Sequence, residues 1–215
     1  MSQHSSTINH QTLRRVIGII AILHPVVLYV GGKLIFNIDL QPSMSHYYWT
    51  GMSDVFVGII TATGVFLLCY RGYARHDHIV SLVAGISAIL VALFPVPPII
   101  ADQLSSTQKY VGLVHGAAAI VFLSSIAYFC LVLFVRHVPD GMPSTEKKKR
   151  NLCYKIFGYI IVACIIAVII YAAVPFINAK LSDIPFVFWL EVIAFWSFGA
   201  AWLIKGQALL TDKNG

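Results

Sequence analysis

Charged residues are scarce in this chain. Only 11% of its 215 residues are Asp, Glu, Lys or Arg, whereas 58% are hydrophobic and the mean hydropathy is +0.80. A soluble globular domain ordinarily has about 25% charged residues. This composition excludes a protein whose surface is mainly exposed to water, and it indicates an integral membrane protein.

Familiar catalytic and metal-binding patterns are also missing. The sequence contains no P-loop, no Gly-x-Ser-x-Gly, no His-Glu-x-x-His and no paired Cys-x-x-Cys motif. The four cysteines, Cys69, Cys130, Cys153 and Cys164, do not have the spacing of a zinc site, and we interpret them as unpaired apolar residues. No enzyme class with a recognisable motif is therefore indicated.

Long hydrophobic stretches dominate what is present. About twenty apolar residues are needed for one helical span, and six stretches qualify, at about 16–36, 49–70, 79–98, 110–135, 156–175 and 185–205. Runs such as Ile156–Val174 are apolar on every face, unlike the alternating strands of a β-barrel. The sequence predicts an all-α, polytopic membrane protein with six transmembrane helices in one domain, residues 14–210. The remaining segments are predicted to be a flexible N-terminal tail (1–13), a basic cytoplasmic linker (136–155) and a C-terminal tail (211–215).

Basic residues predict the orientation of these helices. Lys and Arg are retained on the cytoplasmic side during insertion. With a cytoplasmic N-terminus, 12 of the 15 Lys and Arg residues fall on the inner side and only Lys33, Lys109 and Lys180 on the outer. Both termini are therefore predicted to be cytoplasmic, in the inner membrane if the cell is bacterial. The net charge of +6 then belongs to loops beside the membrane and requires no nucleic-acid partner.

Three ionisable residues lie inside the predicted spans at one depth. Asp54, His115 and Glu191 each follow the start of their own span by five or six positions. At 1.5 Å per residue this places them roughly 8 Å below the outer surface. Ionisable groups inside a membrane are costly, and they usually face the bundle interior and mark a functional site. We expect the three to converge in one outward-facing pocket.

The neighbours of two of these residues suggest close helix packing. Asp54 shares a helix face with Gly58, and His115 shares one with Gly112 and Gly116. Small residues are typical of helix–helix contacts in membranes, so both side chains are expected to face protein or water. An alternative is that the polar groups only hydrogen-bond one another and hold the helices in register.

The loop before the second span adds hydroxyls and an imidazole to this pocket. The predicted ligand-binding residues are Ser43, Ser45, His46, Tyr47, Asp54, His115 and Glu191. The pocket is predicted to bind a lipid headgroup, a small ligand or a proton. Membrane lipids are the expected partners, and a homo-oligomer or a partner membrane protein stays open.

Two other functions remain open at this stage. One is a hydrolase or transferase acting on a lipid amide or ester, with a divalent metal ion held by His46, Asp54 and His115 to activate water. In this version Asp54, His115 and Glu191 are the catalytic candidates. The other is a proton-coupled transporter with a path through His24 and His115.

Short motifs in the first two thirds of the chain resemble a known group. The stretch 42–45 before the second span, then 92–95 and 114–116 resemble the DRAM/Sfk-type six-span membrane proteins and related bacterial families of unknown function. The resemblance covers about residues 14–135 and implies six spans and a link to lipids. The chain is also similar to the alkaline ceramidase and adiponectin-receptor superfamily in His46, Asp54 and His115. It lacks that superfamily's seventh span and His-x-x-x-His pair.

Overall fold

The computed structural model describes residues 10–72, 74–98, 104–136 and 144–209, and the secondary structure within them is helical, without strands. Seven helices and one 3₁₀ segment follow one another along the chain. They are α1 (His10–Phe36), the 3₁₀ segment (Met44–Trp49), α2 (Ser53–Cys69), α3 (Arg75–Leu93), α4 (Ser106–Leu133), α5 (Thr145–Ala173), α6 (Pro175–Leu181) and α7 (Phe186–Lys205).

Five of these helices are long and apolar enough to cross a membrane. They are α1, α3, α4, α5 and α7, with mean hydropathies between 1.7 and 2.7 in their most apolar windows. Helix α2 is apolar too, but it has only 17 residues. The chain is therefore an all-α integral membrane protein built as a helical bundle.

The predicted N-terminal tail and the predicted basic linker are both partly helical. Helix α1 begins at His10, within the predicted tail, and α5 begins at Thr145, inside the predicted basic linker. The start of α5 is capped by Ser144, whose Oγ accepts a hydrogen bond from the Lys147 N–H at 3.1 Å. The predicted tails at 1–9 and 210–215 and the linker residues 137–143 lie outside the described residues.

Two short elements, absent from the sequence prediction, lie between the long helices. The 3₁₀ segment is capped by Ser43, whose Oγ accepts from the His46 N–H at 3.3 Å. Helix α6 begins with Pro175, which suits a first helical position because its missing N–H would have no partner there. These elements precede α2 and α7 and bring polar loop residues to one end of the bundle.

The long helices are arranged in a closed ring. In order around the ring, α1 contacts α2, α2 contacts α3, α3 contacts α4, α4 contacts α5, α5 contacts α7, and α7 returns to α1. The start of α1 meets the end of α7, where Arg15 Nε donates to Gly206 O at 2.8 Å. We call this end of the bundle the terminal end, and the opposite end, which holds Met44–Trp49, the 3₁₀ end.

Glycines set the distances between neighbouring helices. A Cβ atom on Gly18 of α1 would lie 2.8 Å from the carbonyl oxygen of Gly199 on α7, and one on Gly85 of α3 would lie 2.7 Å from that of Gly64 on α2. Such close backbone approach is how membrane helices gain packing energy without a hydrophobic driving force. The ring is therefore tight along the α1–α7 and α2–α3 contacts.

Candidate ligand cavity

A cavity opens in the bundle between α4, α5 and α7 at the 3₁₀ end. Near the terminal end α4 and α5 are in close contact, because a Cβ on Gly158 would lie 2.5 Å from Leu131 Cγ. Toward the 3₁₀ end the two helices enclose a cavity of about 1040 Å³. This volume is slightly above the roughly 300–1,000 Å³ typical of small-molecule sites.

One wall of the cavity is apolar. It is formed by three helices, with Ala119, Ile120 and Leu123 from α4, Cys164, Ile165, Val168 and Ile169 from α5, and Leu190 and Ala194 from α7. These side chains follow one another along the helices and offer no strong hydrogen-bonding group. The wall suits a hydrocarbon chain, whose burial is favourable at about 0.8 kcal/mol per methylene.

The other end of the cavity is polar and is centred on His115. His115 Nδ1 lies 2.7 Å from the backbone carbonyl oxygen of Phe94, and His115 Nε2 lies 3.1 Å from Ser45 Oγ. A carbonyl oxygen only accepts hydrogen bonds, so Nδ1 must hold the proton. In the neutral imidazole Nε2 is then the acceptor, and the Ser45 hydroxyl donates to it.

Prolines explain why the Phe94 carbonyl is available. In a continuing helix this carbonyl would accept the N–H of residue 98, but residue 98 is proline and has none. Helix α3 ends at Leu93, and the oxygens of the segment that follows are bonded by side chains. Trp49 Nε1 donates to Val96 O at 2.7 Å, as His115 does to Phe94 O. The proline-rich end of α3 thus provides the acceptor that orients the imidazole.

Glu191 connects α7 to the 3₁₀ segment. Its Oε2 accepts a hydrogen bond from the Met44 N–H at 2.6 Å, and the Phe188 N–H donates to Pro42 O at 2.9 Å. Met44 directly precedes Ser45, so these bonds hold the serine above the cavity. No described residue forms a hydrogen bond with Glu191 Oε1, and Glu191 lines the cavity.

His46 is the second imidazole at the polar end. Its Nδ1 lies 2.7 Å from Ser43 Oγ, while no described residue bonds its Nε2. Burial, and then the charge of nearby His115, lower the pKa of His46 from 6.5 to about 4. His46 is therefore neutral near pH 7, with a ring nitrogen available to a ligand.

The structure brings together five of the seven predicted ligand-binding residues. Ser43, Ser45, His46, His115 and Glu191 all line the same cavity. Tyr47 does not line it, because its fully buried side chain packs beside Phe188 with a ring distance of 6.3 Å.

Asp54 does not join the site, and the expectation of three converging ionisable residues is wrong for it. Asp54 is exposed on the outer face of α2 with Gly58, whereas Phe56, Ile60 and Thr63 form the buried face. Large apolar side chains bury more area than glycines, so they determine which face packs inward. A Cβ on Gly58 would meet nothing within 4 Å, so this glycine marks no helix contact.

The predicted metal ligands are consequently separated. His46 and His115 lie at the cavity, but Asp54 lies elsewhere, and no group of three His, Cys, Asp or Glu residues in the described part of the chain has the geometry to hold an ion. His24, the first residue of the predicted proton path, is also separate from the cavity lining. His24 packs between Phe56 and Phe195, at ring distances of 5.8 and 5.2 Å, and does not line the cavity.

The sequence analysis missed two parts of the site. One is the Phe94 carbonyl, which the proline cluster after α3 signals. The other is the α5 wall, whose residues are uniformly apolar and give no sign of which side faces a ligand. Comparisons of the chain with protein-family models, curated proteins and solved structures find no match. The function is therefore argued from the geometry of the cavity.

Proposed function

We propose that this protein binds a membrane lipid or a related long-chain amphiphile in the cavity between α4, α5 and α7. One observation supports this above all: the cavity has a polar end at Ser45, His115 and Glu191 and a continuous apolar wall below it. The polar part of the ligand lies at the 3₁₀ end, and its hydrocarbon chain lies along α4 and α5.

The hydrogen-bonding groups at the polar end suit a headgroup or an acyl linkage. Glu191 Oε1 is an acceptor without a described partner, and His46 Nε2 is likewise available. A small polar ligand would satisfy these groups but would leave the apolar wall in contact with water. An amphiphile satisfies both regions at once, since its chain replaces that water.

The cavity is proposed to face the outer side of the membrane. Helix α2 serves as the sixth span, because its 17 residues extend about 26 Å, close to the roughly 30 Å hydrocarbon thickness. Six spans place both termini on one side. Basic residues such as Arg14, Arg75 and Arg136 lie toward the terminal end and favour a cytoplasmic location for it. In a bacterium this corresponds to the inner membrane.

The first prediction tests occupancy of the cavity with a matched pair of glycines. A Cβ on Gly116, which lines the cavity, would meet nothing within 4 Å, and the same is true of Gly58 on the exposed face of α2. A Gly116→Phe side chain therefore meets no clash at its Cβ, and its ring occupies part of the cavity. We expect it to weaken binding of a fluorescent single-chain phospholipid by at least about tenfold, because it removes roughly four to five buried methylenes of contact at about 0.8 kcal/mol each.

The control is Gly58→Phe, which adds the same side chain far from the cavity. It should bind the phospholipid as the wild type does. Binding is measured by fluorescence titration of purified protein in detergent, and folding is checked by size-exclusion profile and thermal unfolding. Unchanged affinity in Gly116→Phe, or no saturable binding by the wild type, would contradict the proposal.

A further inference from the structure

The polar end of the cavity has the arrangement of a nucleophile and its base. We propose that Ser45 is the nucleophile and His115 the general base of an acyl-transfer site that cleaves long-chain esters. This inference rests on the proposed function, because the cavity that binds the amphiphile also presents its acyl linkage to Ser45. It adds a reaction and a substrate class to a binding site.

Three aligned groups support the assignment. Ser45 Oγ is 3.1 Å from His115 Nε2, and His115 Nδ1 is 2.7 Å from the Phe94 carbonyl oxygen. An activated serine requires a base within hydrogen-bond reach and a third group that orients the base. Here the third group is a backbone carbonyl. It keeps the proton on Nδ1 and leaves Nε2 free to accept the serine proton.

The pair is sheltered from bulk water but open to the cavity. Ser45 is 7% exposed and His115 is 5% exposed, and both line the cavity wall. Glu191 fixes the backbone next to Ser45 through the Met44 N–H and acts as a positioning residue. A nucleophile held in this way is already oriented toward a bound acyl group, so little entropy is lost in reaching the transition state.

The reaction balances with water as the second reactant. Ser45 Oγ forms a bond to the ester carbonyl carbon while its proton passes to His115 Nε2. The tetrahedral intermediate collapses, the ester C–O bond breaks, and His115 returns the proton to the leaving alcohol. Water then attacks the acyl-serine, His115 takes its proton, and Ser45 regains that proton as the carboxylic acid leaves. The net reaction converts an ester and water into an acid and an alcohol.

The Phe94 carbonyl stabilises the protonated, imidazolium form of His115 that arises during the reaction. When His115 accepts the serine proton, the ring becomes an imidazolium whose Nδ1–H already points at an oxygen dipole. In serine hydrolases a carboxylate has this place and fixes the tautomer of the histidine. A neutral carbonyl orients the histidine equally but stabilises the imidazolium less than a carboxylate does. We therefore expect slower turnover than in an enzyme with a carboxylate at this place.

The apolar wall defines the substrate by chain length. Ile120 and Leu123 on α4 and Ile165 on α5 lie along the cavity below the serine. A long acyl or alkyl chain occupies this wall, whereas a short chain leaves it exposed to water. We therefore expect long-chain substrates to react faster than short-chain ones by at least about tenfold.

The test uses a hexadecyl fluorophosphonate, which phosphonylates an activated serine with release of fluoride. Purified wild-type protein in detergent should gain the mass of one phosphonyl group, and peptide mapping should place that group on Ser45. An ethyl fluorophosphonate should react at least about tenfold more slowly. The wild-type mapping does not depend on whether any variant folds.

Variants then assign the two roles. Ser45→Ala should abolish the label, and His115→Gln should slow labelling by about 100-fold or more, as expected for loss of a general base. Ser125→Ala is the matched control. Ser125 is a buried serine on α4, the helix that carries His115; it donates to Val121 O at 2.8 Å and does not line the cavity. It should label at the wild-type rate.

The outcomes separate the inference from the proposed function. Absence of label on wild-type Ser45, or label on another serine, overturns the inference. If phospholipid binding persists in that case, the proposed function stands and the cavity is a binding site only. If, in addition, Gly116→Phe binds the phospholipid as tightly as Gly58→Phe does, the inference and the proposed function are both overturned.

Discussion

Single side chains at the 3₁₀ end have protonation states set by their neighbours. The Phe94 carbonyl places the His115 proton on Nδ1, and burial beside His115 lowers the pKa of His46 to about 4. The lowered pKa leaves His46 without positive charge near neutral pH. That absence suits a ligand whose chain lies beside the imidazoles, since an unpaired charge in an apolar site is costly.

The pKa of His46 predicts a pH dependence of stability. The unfolded chain takes up a proton at about pH 6.5, but the folded chain takes it up only near pH 4, so lowering the pH favours unfolding. Stability is full above pH 6.5 and falls as the pH decreases toward 4. Allowing for partial access of solvent, we expect a loss on the order of 1 kcal/mol at pH 5.

A comparison with His46→Asn isolates this contribution from the other histidines. The Asn amide oxygen can replace Nδ1 as the partner of Ser43 but does not titrate. Thermal unfolding in detergent at pH 7 and pH 5 should show a smaller decrease in Tm for the variant than for the wild type. An equal or larger decrease would mean that His46 does not take up its proton on unfolding.

At the scale of the helices, glycines determine which pairs approach closely. The α1–α7 contact depends on Gly18 and Gly199, and the α2–α3 contact depends on Gly64 and Gly85. Gly58 and Gly116 have open space instead, one on the outer face and one at the cavity. Glycines of similar appearance in the sequence thus have three different roles in the bundle.

These roles predict opposite effects of the same substitution. Gly199→Ala places a Cβ 2.5 Å from Ile22 Cγ1 and 2.7 Å from Gly18 O, so α1 and α7 must separate, at a cost of about 1–3 kcal/mol. Gly58→Ala meets no neighbour and gains helix propensity of up to about 1 kcal/mol. Thermal unfolding should therefore show a lower Tm for Gly199→Ala and an equal or higher Tm for Gly58→Ala. The reverse order would contradict the close packing of α1 and α7 at Gly18 and Gly199.

At the scale of the whole molecule, the two ends of the bundle differ in chemistry. The terminal end holds basic groups, among them Arg136, which pairs with the buried Asp77 carboxylate at 2.8 Å. The 3₁₀ end holds the cavity, with Ser182 and Asp183 at its rim. This asymmetry matches a membrane protein whose ligand site and basic side lie in opposite leaflets.

Cysteine accessibility tests the orientation. In a variant without the four native cysteines, Ser182→Cys should react with a membrane-impermeant maleimide added to intact cells, because it lies at the rim of the cavity, which is proposed to face outward. Ser144→Cys, at the start of α5 near the terminal end, should react only after the membrane is permeabilised. Labelling of Ser144→Cys in intact cells with protection of Ser182→Cys would mean the opposite orientation.

Part of this fold could be predicted from the sequence because it depends on local hydrophobicity. The helices occupy the six predicted apolar stretches with shifts at their ends, since backbone hydrogen bonds in a membrane must be satisfied within each segment. His115 and Glu191 were found by the same reasoning, because an ionisable residue within an apolar run stands out. The helical start of α5 was missed because its Lys and Arg residues resemble a linker, although they are good helix formers.

The sequence by itself determined the membrane class, the helices and five polar residues of the cavity, because each depends on residues close together along the chain. Tertiary structure decided which face of α2 is buried, so that Asp54 points outward. It also decided that Ser45 meets His115 and that α5 supplies the apolar wall. These features depend on contacts between residues that are distant in the chain. Which face of each helix is buried is determined only when all the helices pack together.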